Sequence, residues 1–277
     1  MKLAIVAMLC AQPLLAGYAG RDLVFPIVGR SSDASGHTFA TTVWITNASE
    51  ETASVTLSFF ELGHANPTPR QTRFDIAPHA TRTLDPLDTP LAALHIESNC
   101  DLIATARIAG AGSVTSFAAI PARFAIGNRQ SSIFQGYVPE GGQYRLYVSE
   151  IAGQPLAVAV TLIDSAGALR GDKRIFLGPR EPAIVDVSSM FQGLSGSAVR
   201  IEGLNGNGKI VALGWQRSTG MQDASVFEMS FPAPPRFSVS WTEGLAYVAV
   251  AMAVIAAVIA RAIGRARDSE REPSRTA

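Results

Sequence analysis

Gly203-Leu204-Asn205-Gly206-Asn207-Gly208-Lys209-Ile210 has the Gly-x4-Gly-Lys spacing of a loop that cradles phosphates. That chemistry also needs a serine or threonine next, to hold magnesium, and a helix opening behind the loop. Ile210 fails the first requirement, and Ile210-Val211-Ala212-Leu213-Gly214-Trp215 reads as a strand. The string is therefore expected to be a hairpin turn at Asn-Gly and not a nucleotide site. The histidines are His37, His64, His79 and His95, and no two stand at the i, i+2 or i, i+4 spacing that pairs metal ligands. His95 falls on the face opposite Leu94 and Ile96, so it is expected to face solvent. No Gly-x-Ser-x-Gly elbow occurs; Gly193-Leu194-Ser195-Gly196 has the wrong spacing. Cys100 lies in Ser98-Asn99-Cys100-Asp101, read as a turn between two strands, beside a carboxylate that repels a thiolate. Glu50-Glu51 reads as a solvated turn pair. Trp44, Phe59, Phe60, Tyr137, Tyr144, Tyr147 and Trp215 are candidates for a sugar or protein platform, although Phe59 shares the phase of Val55 and Leu57 and reads as core. The expectation is a non-enzymatic protein with no catalytic residue, cofactor or metal ligand.

The elements that would position these residues are short strands. Thr42 to Asn47, Val55 to Phe59, Leu94 to Glu97, Leu102 to Ile108 and Val114 to Ile120 alternate at period two. Gly, Pro, Asn, Asp and Ser punctuate them, and the chain holds 24 glycines and 16 prolines. A composition 47% hydrophobic and 17% charged excludes a disordered chain, and zero net charge removes any global attraction for nucleic acid. The reading is all-β.

The pattern recurs at a nearly constant offset. Val55-Thr56-Leu57 is matched by Val160-Thr161-Leu162, Ile96-Glu97 by Ile201-Glu202, and Arg107 by Arg217. Ser116-Phe117 before Ile120-Pro121-Ala122 is matched by Val226-Phe227 before Phe231-Pro232-Ala233. Two β-sandwich domains follow, residues 21–121 and 122–232, with the extra residues of the second absorbed around Gly203–Gly208. An aspartate at Leu57 or Leu162 is expected to unfold its own domain.

Phe25-Pro26-Ile27-Val28-Gly29, Gly36-His37-Thr38-Phe39-Ala40-Thr41, Val43-Trp44-Ile45-Thr46-Asn47 and Val55-Thr56-Leu57 together resemble tandem immunoglobulin-like β-sandwich repeats of exported bacterial proteins of unknown function. The likeness is best in the first domain; the second has Tyr144-Arg145-Leu146-Tyr147-Val148 in place of Trp-Ile-Thr-Asn. The resemblance implies a fold and no catalytic residues. An antibody-type disulfide is excluded, since the only cysteines are Cys10 and Cys100.

The two ends give an address. Lys2, the apolar run Leu3 to Ala11 and the small residues of Ala16-Gly17-Tyr18-Ala19 have the order of a secretory signal over residues 1–19, cleaved after Ala19. Residues 233–243 read as a Pro-rich stalk. Residues 244–264 carry one charge, Arg261, near their end and are long enough to span a bilayer as a single transmembrane helix. The tail 265–277 opens with Arg265 and Arg267, which places it in the cytoplasm. The expectation is a single-pass protein of the bacterial cell envelope, held in the lipid bilayer through 244–264, with its sandwich domains outside the cytoplasmic membrane. It would display those domains for protein contact or adhesion. The alternatives are a carbohydrate-binding module, for which coplanar exposed aromatics would speak, and a hydrolase with its site at the domain junction. Titratable side chains clustered there would favour the hydrolase, and a dry apolar junction would count against it.

Overall fold

The structure is a computed structural model that describes residues 19–32, 38–87, 89–110, 113–138, 142–192, 194, 196–217 and 225–229, with backbone alone for 113 and 135–138. The leader over 1–18, the stalk, the span and the tail lie outside the described residues, as does His37. Among the described residues no helix is long and apolar enough to cross a membrane.

The chain is built from antiparallel strands. The first half contains β1 (Gly20–Val28), β2 (Arg30–Ser32), β3 (Thr38–Asn47), β4 (Ala53–Glu61), β5 (Arg70–Ile76), β6 (Thr81–Leu84), β7 (Ala92–Gly110), β8 (Ser113–Ala118) and β9 (Ile120–Pro121). A 3-10 turn, Ala122–Phe124, leads into the second half. There follow β10 (Ser131–Val138), β11 (Gln143–Glu150), β12 (Leu156–Ile163), β13 (Leu169–Leu177), β14 (Pro182–Asp186), the one-turn helix α1 (Val187–Met190), β15 (Gly196–Gly206), β16 (Ile210–Arg217) and β17 (Ser225–Glu228).

The strand β7 organises the first half. The two strands read from the sequence, Leu94–Glu97 and Leu102–Ile108, are one continuous 19-residue strand. Its first part pairs with β1 and β4, and its second with β3 and β8. Residues 98–101 do not reverse the chain; they bulge it between the two sets of partners. The turn-forming side chains there bond to backbone instead. Asn99 Oδ1 accepts the Ser54 N–H at 2.7 Å, and Ser98 Oγ accepts the Cys100 N–H at 3.2 Å. Cys100 is buried in this strand rather than set on a turn.

The second half repeats the pairing scheme. Its sheets run β10-β15-β12-β13 and β14-β11-β16-β17. In the first half the corresponding paths are β1-β7-β4-β5 and β6-β3-β7-β8. One long strand there does what β15 and β16 do separately here. Asn207-Gly208-Lys209 is the break between them, so this string joins strands of two different sheets and is not a hairpin. The sequence offset also needs a correction in register. Ile96 pairs with Leu57, whereas Ile201 pairs with Val160, a slip of two residues relative to the constant offset of the sequence match. A slip of two leaves every side chain on its original face.

Burial follows the alternation. Val43 and Ile45 are core and Trp44 is half-buried. Val55, Leu57 and Phe59 all face inward. Two hydrophobic clusters result, and they interlock. Leu23 and Phe25 belong to the first cluster, but Val24 between them and Ile120 of β9 belong to the second. In return Leu213 of β16 belongs to the first cluster, with Tyr147 and Val226 packed against it. The described residues, from Ala19 to Met229, fall in one compact unit.

Candidate functional site

The residues singled out in the sequence are mostly structural. Phe59, Phe60 and Tyr144 are buried. Burial raises the Tyr144 phenol well above its ordinary range, and its hydroxyl has no hydrogen-bond partner. Trp215 is half-buried, with the Arg145 guanidinium 5.8 Å from its ring centre. Among the described residues Phe176 is the only well-exposed aromatic, so no flat platform of several rings forms.

Three histidines each meet a different carboxylate: His64 with Glu61 at 3.3 Å, His79 with Glu50 at 3.0 Å and His95 with Asp22 at 2.5 Å. No group of three potential metal ligands forms among the described residues. His95 is not solvent-facing. Its side chain is 13% exposed, because Asp22 of the neighbouring β1 and the Phe60 ring cover it. Alternation in β7 gives its face correctly but says nothing about what packs on that face.

The Gly-Lys string contains no free anion cradle. The Lys209 N–H is donated to Glu150 Oε1 at 3.0 Å, and Ile210 opens a strand. Glu150 is the residue that the sequence did not flag. It ends β11 fully buried, and its carboxylate accepts five backbone N–H groups. Ala152 (2.7 Å) and Lys209 bond to Oε1; Gly153 (2.9 Å), Gln154 (3.2 Å) and Arg180 (2.7 Å) bond to Oε2. A carboxylate can accept about four or more such bonds, so these hydrogen bonds replace its hydration shell. The loop held this way reaches the first half: Asn66 Nδ2 donates to the Arg180 carbonyl at 2.9 Å, and Asn66 N–H to that of Pro179 at 2.9 Å.

Two concave surfaces stand out among the described residues. The first, of about 510 Å³, is a groove between β13 and β14, terminal strands of their two sheets. Ile175, Phe176, Ile184 and Met190 line it, with Lys173 and Asp186. Phe176 is 76% exposed. The corresponding edge of the first half is protected: the Arg70 guanidinium covers Phe59 at 4.3 Å and that of Arg82 covers Phe74 at 4.4 Å. The second, of about 540 Å³, is a cleft where the halves meet, in whose lining Arg21, Asp22, His95, Asp101, Arg123 and Lys209 alternate with apolar groups such as Ile151 and Ala122. The middle of that junction is apolar, with Val24, Ile120, Leu213 and Tyr147. Among the described residues lining the cleft there is no serine, threonine or cysteine; the cross-strand neighbour of His95 is Ser58, whose hydroxyl accepts a hydrogen bond from Gln71 Nε2 at 3.0 Å. Comparison with known protein families, with characterised proteins and with solved structures returned no match for this chain.

Proposed function

We propose that this chain is a non-enzymatic protein of the bacterial cell envelope whose two tandem immunoglobulin-like β-sandwich domains are displayed for contact with another protein. The observation that carries the reading is the β13–β14 groove. Its strands are sheet edges, each paired on one side only among the described residues. Natural edges are guarded by charge or cover, since a bare edge recruits strands. Arg170, Asp172, Lys173 and Arg174 guard β13 along most of its length, but at Phe176 the guard stops. An exposed apolar side chain beside an open edge suits an extended, apolar segment of a partner, held by main-chain bonds and one anchoring pocket. The cell-envelope reading rests on the leader and on residues 244–264. Among the described residues no group of exposed rings supports the carbohydrate-binding alternative, and no serine, threonine or cysteine lines the cleft to support the hydrolase.

A photo-crosslinking amino acid at Phe176 in the intact cell should give a discrete adduct, and Ile184→Glu should abolish it. The same probe at Arg73, on the edge strand of the first half, should give none. Equal adducts at both positions, or none at 176, would remove the groove as the contact surface. The topology is checked separately. Protease added to spheroplasts should digest residues 20–232 and spare a tag placed after Ala277; digestion of the tag would reverse the orientation.

A further inference from the structure

We propose that the cleft between the halves binds a small ligand through an oxyanion, a carboxylate or a phosphate, held between Arg123 and Lys209. The argument starts from charge. Asp101 is paired with Arg21 at 3.5 Å and Asp22 is hydrogen-bonded to His95, so both carboxylates of the cleft already have partners. Two cations remain, Arg123 in the turn that opens the second half and Lys209 just before β16. Among the described residues no carboxylate reaches Arg123: its guanidinium lies over the face of Phe124 at 4.8 Å, and its contact with the Ala19 carbonyl at 3.4 and 3.5 Å goes with the leader when that is cleaved. No carboxylate reaches the Lys209 ammonium among the described residues, although Lys209 lines the same cleft.

Both stand on hydrogen-bonded backbone. The Lys209 N–H is fixed by Glu150, and its carbonyl accepts the Ile151 N–H at 2.8 Å. Arg123 sits in the 3-10 turn directly after β9, whose strand is paired to β1. The Gly-x4-Gly-Lys string thus delivers a lysine to a ligand-sized cleft, but with its amide spent on Glu150, so side chains and not a backbone cradle make the recognition. A planar guanidinium offers paired donors to a carboxylate or phosphate, and the ammonium adds a point charge. The cleft volume lies in the range of small-molecule sites. With both cations near the surface, affinity for the bare anion should be weak, on the order of millimolar.

The chain has three lysines, Lys2, Lys173 and Lys209, which makes the test direct. The full chain is labelled with 15N-lysine and titrated separately with inorganic phosphate and with glucuronate, ionic strength being held constant with sodium chloride. The Lys209 amide should shift saturably and that of Lys173 should stay still; the anion that acts at lower concentration identifies the ligand chemistry. Arg123→Met should weaken the response about tenfold or more, while Arg73→Met should leave it unchanged. An unmoved Lys209 with both anions, equal movement of Lys173, or undiminished binding in Arg123→Met would overturn the proposal. The Lys173 amide position in each variant reports whether the second half is still folded.

Discussion

Replacing Glu150 by alanine should lower the stability of the folded chain by about 3–5 kcal/mol, the scale of removing one partner from a buried charged network. The five N–H groups that converge on this carboxylate come from the β11 end, from Arg180 and from Lys209. Without it they point into a space where few other acceptors are at hand, and each buried donor left unpaired costs about 1–3 kcal/mol before relaxation. Glu150→Gln should recover little. Both oxygens are used as acceptors, and an amide would turn donors toward donors at one of them. Urea unfolding decides this: the midpoint should fall with the slope unchanged. A loss under about 1 kcal/mol in Glu150→Ala would mean that water substitutes for the carboxylate.

The second large effect concerns cooperativity. Leu57 and Leu162 are buried in the first and second clusters. An aspartate at either site places an unpaired carboxylate in an apolar core, a penalty comparable to the whole stability of a domain. The sequence alone suggests that each substitution unfolds its own domain. The interlocked packing changes that expectation. Val24 and Ile120 are part of the second cluster, Leu213 is part of the first, and Asn66 bonds to the Pro179–Arg180 loop. Unfolding one half would expose the other half's side of this packing. Calorimetry should therefore show a single transition up to Pro232 in the unaltered protein. Leu57→Asp and Leu162→Asp should each lower or abolish that whole transition. Two resolved transitions, one of them unmoved by Leu57→Asp, would show that the halves unfold independently.

Period-two alternation is a local property, and it set what was legible in the sequence. It placed Val55, Leu57 and Phe59 on the inward face, made Ile210 the start of a strand, and revealed the recurrence of one strand scheme along the chain. It also marked an interruption near Asn207–Lys209, but read as a hairpin what is a passage between two sheets. What the tertiary structure decided depends on partners distant in the chain. Ser98-Asn99-Cys100-Asp101 has turn composition, yet bonds from Asn99 to the backbone of Ser54 and Thr52 let the strand run through. His95 is covered by a carboxylate 73 positions away, and Glu150 collects donors from as far as Lys209. Phe176 sits in an apolar Ile-Phe-Leu run that would suit a core, yet it is left bare because β13 is the last strand of its sheet. Alternation assigns a side chain to a face; only the packing of sheets and edges determines whether that face meets protein or water, and this is a matter of long-range pairing that no local pattern encodes.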